Sequence, residues 1–476
     1  MGHRVKRRYR RETNKSFLAC PMGGQGHEQY IKAAGQKGTT LPGKIALQVE
    51  PQLMGMLSSA YTDGIIMVTG TNGKTTTANL LAQILKADGK TFAFNQAGAN
   101  LVTGITGALL ANTGWGGRSK VKMALLEVDE ATVPKFCQQV TPYVAIVTNF
   151  FRDQLDRYGE LDTTIKLVRD AIPPQTHLIL NADDPLVAQF GRERIHTLYY
   201  GVEQTPDSKI YSTETREARF CPHCGAELVY TLYHYGQLGI YACPCGYKRP
   251  EPPVLAQNVK AGEDGIQFRV EPTSYSITLQ GYYNLYNALA AMTAAKRIGI
   301  KDREIQRGLS EFIPQAGRME QFILPQGAVT LTLVKNPTGF NQVLQTVLSR
   351  KEHPIRLLIG INDLAADGRD ISWLWDVDFE CLGREEERIQ RIVCSGLRAE
   401  DMAVRLKYAG VPADKLHLER EMSNALEKLS EGLAGQATIF ILPTYTLLFP
   451  TRELLANRQI KSCELNSRQH IQRGEG

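Results

Sequence analysis

The segment that most restricts the fold is Ile65 to Leu81, IIMVTGTNGKTTTANLL. Apolar, mostly β-favouring residues run into Gly70-Thr71-Asn72-Gly73-Lys74-Thr75, and an apolar pattern of helical period follows. The segment reads as strand, tight loop, helix. The spacing G-x-x-G-K-T suits phosphate: loop N–H groups wrap it, Lys74 reaches the β- and γ-phosphates, and the Thr75 hydroxyl is placed for magnesium. The loop lacks two of the spacer residues of the common G-x-x-x-x-G-K-[ST] pattern. A strand feeding such a loop implies an α/β layer structure with mainly parallel strands and ligand at their carboxyl ends.

With 476 residues and 43% hydrophobic content the chain can bury a large core, divided over roughly two to four domains. The formal charge of +6 invites a nucleic-acid reading, but Met1 to Lys15 carries seven Lys/Arg against one Glu, the whole excess. The rest is balanced, so a basic tail is expected rather than a nucleic-acid footprint over the fold. That tail reads as a solvated terminus, with contact to anionic lipid or phosphate as the other reading. Ser16 to Pro21 is too short for a signal-peptide core, and no run reaches the ~18 apolar residues of a membrane span. A cytoplasmic protein is expected.

Four of the nine cysteines crowd into one stretch, Cys221 and Cys224 on C-P-x-C-G and Cys243 and Cys245 on C-P-C-G, with eighteen residues between the pairs. A hairpin with its tip near Tyr235-Gly236 fits that interval. Four thiolates close tetrahedrally around zinc and leave no open position, so the site reads as structural. The second pair is C-x-C where zinc ribbons usually have C-x-x-C. His223 reads as a turn residue, and Cys20, Cys137, Cys381, Cys394 and Cys463 as buried packing.

The loop GTNGKTT, from Gly70 to Thr76, resembles the ATP loop of the Mur ligase and folylpolyglutamate synthase superfamily. Further stretches resemble that family in order. In Ala124 to Asp129, ALLEVD, the resemblance implies a magnesium ligand at Glu127, beside Thr75. Thr148-Asn149 to Asp156 resembles T-N-x-x-x-D-H-L-D, with Gln154 in place of the usual metal-binding His. Leu180 to Pro185, LNADDP, implies a nucleotide role for Asn181; Asn284 and Asn287 match G-x-x-N-x-x-N-A; Gly317-Arg318-Met319-Glu320 matches a hinge that offers Arg318 to the γ-phosphate. Gly70, Thr71, Asn72, Gly73, Lys74, Thr75, Thr76, Asn149, Asn181, Asn284, Asn287 and Arg318 are thus the implied nucleotide-binding set. Lys166 and Arg169 fall in no register matching the family's carbamylated lysine.

Two departures narrow the resemblance. Only about sixty residues precede the strand that feeds the loop, so this stretch is not expected to hold the sugar-nucleotide-reading domain of other Mur ligases. Leu333 to Gln342, LVKNPTGFNQ, stands where amino-acid-adding ligases have D-Y-A-H-x-P. With the cysteine insertion and the Asp- and Trp-rich stretch from Gly360 to Glu380, the chain is similar to the MurT branch, the synthetase subunits of lipid II isoglutaminyl synthase. The expected organisation is a tail and lead-in over 1–45, a central ATP-binding domain over 46–315 carrying a zinc ribbon at 215–250, and a smaller Rossmann-like α/β domain over 316–476.

The resemblance implies ATP-dependent amidation of the D-glutamate α-carboxyl in the lipid II stem peptide, at the inner face of the membrane, with Lys74 and Glu127 serving phosphoryl transfer. An amino-acid-adding or folylpolyglutamate-type ligase is the alternative. A zinc-ribbon nucleic-acid-binding ATPase is disfavoured by the charge balance. No cysteine sits on the G-x-C-x-G turn of a glutaminase, so ammonia from glutamine requires a second polypeptide, by resemblance the GatD glutaminase. Asp367 is the implied carboxylate that orients its His, with Asp363 and Asp370 close in register.

Overall fold

The computed structural model describes residues 40–473 apart from 96–98, 115–116, 153–160, 213–215, 263, 315–316, 325–326, 350–353 and 434–436, with backbone alone over 460–473. The basic tail, Cys20 and Gln154 lie outside the described residues, as does the Cys463 side chain.

The larger sheet is built from β1 (Gly64–Thr69), β2 (Phe92–Phe94), β3 (Met123–Glu127), β4 (Val144–Val147), β5 (His177–Asn181) and β6 (Thr197–Val202). After a separate hairpin of β7 (Val229–Tyr235) and β8 (Leu238–Ala242), it is completed by β9 (Val254–Gly262), β10 (Gly265–Val270) and β11 (Thr273–Ile277). Its order is β11-β10-β9-β6-β5-β4-β1-β3-β2. Pairing is parallel from β2 to β9 and antiparallel where β10 and β11 close the edge.

β1, β3 and β4 are apolar up to the Thr69 and Glu127 that end β1 and β3, because helices cover both faces, and period-two alternation sends neighbours to opposite cores. Ile66 and Val68 of β1 pack with Leu80, Leu81 and Ile84 of the helix Lys74–Ala87 and with the helix Tyr282–Arg297. Ile65 and Met67 pack on the other face with Leu126, Phe136, Ile165 and Val168. β1 is hydrogen-bonded to β3 and β4 on either side, so the loop leaving it emerges between their carboxyl ends.

A second sheet comprises β12 (Glu320–Leu324), β13 (Gly327–Leu331), β14 (Ile355–Gly360), β15 (Ile389–Ser395), β16 (Leu416–Leu418) and β17 (Thr438–Pro443), in the order β12-β13-β17-β14-β15-β16. Only β12–β13 is antiparallel. The expected strands TLTLV, IRLLIGI, RIQRIVCSG and ATIFILPTY fall on β13, β14, β15 and β17, and the expected helix from Ala399 to Tyr408 is present. The fold is thus α/β with mostly parallel mixed sheets. Among the described residues no helix is long and apolar enough to cross a membrane.

Candidate functional site

The loop after β1 is held by its neighbours as well as by its glycines. Gly70 and Gly73 have φ of 117° and 85°, and a Cβ on Gly70 would lie 2.3 Å from the Thr148 hydroxyl. Asn149 clamps Asn72 from both sides, its Oδ1 accepting from the Asn72 N–H at 2.9 Å and its Nδ2 donating to the Asn72 carbonyl at 3.0 Å. Thr148 donates to the same carbonyl at 2.8 Å. Thr71 accepts from the Phe151 N–H at 3.1 Å. Asn149, expected to meet nucleotide, therefore also braces the loop that would hold it. Thr75 and Thr76 lie on the first turn of the helix that begins at Lys74, at the positive end of its dipole.

Lys74 is buried at the base of the loop, where Nζ donates to the Gly70 carbonyl at 2.6 Å and to Glu130 Oε2 at 2.9 Å. Burial alone would pull the ammonium down; Glu130, Asp129 and Glu127 outweigh it and hold Lys74 above its ordinary range. Glu130 is pushed up by burial, against the pull of Lys74. Glu127 pairs in register with Val68, which sets it beside the loop, and its Oε1 accepts from Asn100 Nδ2 at 3.1 Å. Burial lowers the Arg318 guanidinium, and the Glu127 charge opposes that shift. The buried Glu127 carboxylate and the Thr75 hydroxyl are hard oxygen donors of the kind magnesium takes.

The second domain closes onto this loop. Asn336 and Asn72 exchange amide hydrogen bonds of 2.9 and 3.3 Å. Asn336 Oδ1 also caps the helix Pro337–Ser349 by accepting from the Gly339 N–H at 2.8 Å. Between the sheets, Gly317 and Met319 both take positive φ, 71° and 57°, on either side of Arg318. Glu320 accepts from the Gly317 N–H and from Arg452, which fixes the turn. A cleft results, lined on one side by Asn72, Gly73, Thr75, Thr76 and Asn149, on a second by Tyr283, Asn284 and Asn287, and on a third by Arg318, Lys335 and Asn336.

Eleven of the twelve expected nucleotide residues lie on this loop or line this cleft, with Gly70, Thr71 and the buried Lys74 belonging to the loop without lining the cleft. Asn181 does not line it. Its side chain is fully buried, Oδ1 accepts from the Asp183 N–H at 3.0 Å and Nδ2 has no partner among the described residues. The adjoining carboxylates are equally internal: Asp183 takes Arg249, Tyr286 and the Val202 N–H, and burial pushes Asp184 up to about 7. Sequence reading passed over Glu130 and Asn336. Glu130 carries a signal, the third acid after Glu127 and Asp129 where β3 runs into its loop; Asn336 is legible only as part of the departure from D-Y-A-H-x-P.

The four cysteines converge at one end of the β7–β8 hairpin. Their sulfurs lie within 4.8 Å of one another, with Cys221–Cys245 at 3.8 Å and Cys224–Cys243 at 3.5 Å. Tetrahedral Zn–S bonds of ~2.3 Å put sulfurs ~3.8 Å apart, so the cluster has the dimensions of a four-thiolate site. Each pair sits on a knuckle closed by a glycine of positive φ, Gly225 or Gly246. The C-x-C spacing therefore reaches the geometry that C-x-x-C usually provides. His223 is exposed and is not part of the cluster.

In the Asp-rich loop after β14 the three acids separate. Asp363 pairs with Arg398 at 2.6 Å. Asp370 caps its own turn through Ser372. Asp367 is buried, and its oxygens accept from the Thr446 N–H at 2.8 Å and the Thr446 hydroxyl at 2.6 Å. Leu364, Leu397, Tyr445 and Phe449 are about half exposed in the segments around it.

Residues 68–239 match the Mur ligase middle domain and residues 333–448 the MurT ligase C-terminal domain. Among solved structures, the chain resembles a pseudomurein peptide ligase type C from Methanothermus fervidus, with TM-score 0.65 and 24% identity over 84% of this chain and 80% of that one. It also resembles MurF from Acinetobacter baumannii, with TM-score 0.63 and 19% identity over 87% and 80%. The class is therefore that of Mur-ligase-fold proteins. Within it, the chain is 36% identical over 425 residues, 89% of its length and 94% of the relative's, to a protein of Staphylococcus aureus (strain COL). It is 36% identical over 458 residues, 95% and 99%, to one of Streptococcus pneumoniae (strain ATCC BAA-255 / R6). Both are named lipid II isoglutaminyl synthase (glutamine-hydrolyzing) subunit MurT. The chain belongs to the MurT family of Mur-type ligases.

Proposed function

We propose that this chain is the synthetase subunit that amidates the D-glutamate α-carboxyl of lipid II to D-isoglutamine, with ATP as phosphoryl donor. The observation that carries the reading is that Lys74 lies buried at the base of the loop while Arg318 lines the cleft above it, and that the same side of the cleft, at Lys335-Asn336, lacks the acid and His of amino-acid-adding ligases. A carboxylate does not react with ammonia in water because its leaving group would be oxide. Attack of a carboxylate oxygen on the γ-phosphorus expels ADP and forms an acyl phosphate. Ammonia then attacks the acyl carbon, loses a proton and expels phosphate, leaving the amide. Lys74 moves from Glu130 to the phosphates, the loop N–H groups bind their oxygens, and Arg318 neutralises charge on the transferring group. Magnesium, held by Thr75 and Glu127, would supply further charge neutralisation there.

The thiols argue for a separate source of ammonia. Burial pushes Cys137, Cys381 and Cys394 up to about 12, which removes them as nucleophiles. We assign glutamine hydrolysis to a GatD-like glutaminase docked at the exposed Leu364, Leu397, Tyr445 and Phe449, with Asp367 orienting its His, and place the complex at the inner membrane face. ATP hydrolysis should depend on ammonium, or on glutamine once the glutaminase is present; dependence on an L-amino acid instead would assign the chain to the amino-acid ligases.

The four cysteines are proposed to hold one structural zinc, the thiolates supplying all its ligands. Cys221→Ser should cut zinc content to a small fraction of one per chain and lower the unfolding midpoint by roughly 5 °C or more. Metal analysis in reducing buffer that finds no zinc in the unmodified chain would contradict the assignment.

A further inference from the structure

The cysteine hairpin reaches further than its metal end. β7 runs from Val229 to Tyr235, about 20 Å at ~3.3 Å per residue, and its tip enters the cleft, where Tyr235 joins the lining with Phe151. The two rings stack with centroids 6.3 Å apart, and Tyr235 meets Tyr286 edge-on at 5.7 Å. The tip is fastened on every side. Gln237 donates to the Phe150 carbonyl and Tyr230 to the Gln237 carbonyl at 2.9 Å. Gly236, at φ 52°, turns so close to Phe151 that a Cβ there would lie 3.2 Å from the ring.

The body of the hairpin is bolted to the loop after β5. Gly239 donates to the Asp183 carbonyl at 2.9 Å, Tyr241 to the Ala182 carbonyl at 3.1 Å and Tyr247 to the Pro185 carbonyl at 2.6 Å. Tyr241 and Tyr247 share one apolar cluster with Cys221 and Cys243. The metal end, the tyrosine bolts and the tip thus form one continuous packed unit.

We propose that Tyr235 is a nucleotide-contacting residue, its ring and Phe151 forming an aromatic wall against the flat base and sugar end of the nucleotide, and that metal at the four cysteines sets the position of that wall. The inference rests on the reading of the cleft as an ATP site. An aromatic face recognises a base by stacking and gives nothing to a phosphate chain. Tyr235 is therefore the part of the cleft that tells a nucleotide from a bare polyphosphate, and the insertion that supplies it is part of the active site.

The test is calorimetric titration of the full chain, with magnesium in excess, using a non-hydrolysable ATP analogue and inorganic tripolyphosphate. Tyr235→Phe should bind both as the unmodified chain does. Tyr235→Leu, which keeps apolar bulk so that the fold survives, should lose about tenfold for the nucleotide and nothing for tripolyphosphate, with unchanged zinc content. Removing zinc with a zinc-selective chelator should weaken nucleotide binding in the unmodified chain and have little further effect in Tyr235→Leu. Equal nucleotide affinity of Tyr235→Leu and the unmodified chain, or equal loss for both ligands, would overturn the contact. Chelation that changes nothing, or weakens both proteins alike, would overturn the coupling to metal. Failure of the unmodified chain to bind nucleotide would instead overturn the ATP-site reading itself.

Discussion

Lys74→Ala is expected to reduce ATP turnover by about a thousandfold or more, since phosphoryl transfer depends on electrostatic stabilisation that this ammonium supplies. The variant will also be less stable, because Lys74 is buried and paired with buried Glu130, whereas the sequence suggested a residue facing only phosphate. Removing one partner of a buried pair costs roughly 3–5 kcal/mol, reduced here to the extent that Glu130 protonates. The sign with pH follows from Glu130. Its folded value already lies above its ordinary one through burial, and loss of Lys74 removes the group that opposes this. A raised acid contributes stability below its unfolded value that is lost as pH rises through the folded value. The stability deficit of Lys74→Ala should therefore shrink as the pH is lowered. Adding Glu130→Gln should restore much of the unfolding midpoint and none of the turnover. Turnover near that of the unmodified chain in either variant would remove Lys74 from the chemistry.

Asp367→Asn should separate the two halves of the overall reaction. In a complex reconstituted with the glutaminase, glutamine-driven amidation is expected to fall by two orders of magnitude or more, on the scale known for triad carboxylates, while amidation from added ammonium persists. The bonds from Thr446 fix the Asp367 carboxylate in one orientation at the start of the last helix. In the proposed complex that carboxylate also accepts from an imidazole N–H across the interface. Asn keeps an acceptor for the Thr446 N–H, so the fold should survive. Equal loss with both donors would place Asp367 in the synthetase chemistry, and no loss with either would leave it as a helix cap.

The phosphate loop was legible because its constraints are local: Gly70 and Gly73 need positive φ, Lys74 and Thr75 open the helix, and all fall within one short segment. The cysteine cluster was legible for the same reason, spacing standing in for geometry. What joins distant segments was not. Asn336 meets Asn72 only because the second domain folds back onto the first, and no local pattern encodes that approach. The hairpin tip was placed near Tyr235-Gly236 from chain length, but its entry into the cleft depends on tyrosines bonded to backbone carbonyls of another loop, contacts that leave no spacing rule. Asn181 shows the reverse. Its motif is local and clear, yet the structure turns that segment into the sheet interior, where Asp183 serves Arg249 and Tyr286.

The central claim is that this site converts a carboxylate to an amide using ammonia, and the mass of the product tests it most directly. Purified chain incubated with ATP, magnesium, ammonium and lipid II should yield lipid II lighter by the difference between a hydroxyl and an amino group, and only when ATP is present. The same assay with ammonium-15N should carry the label into the product. Lipid II of unchanged mass under conditions where ATP is consumed, or a product heavier by an amino-acid residue when amino acids are supplied, would contradict the account.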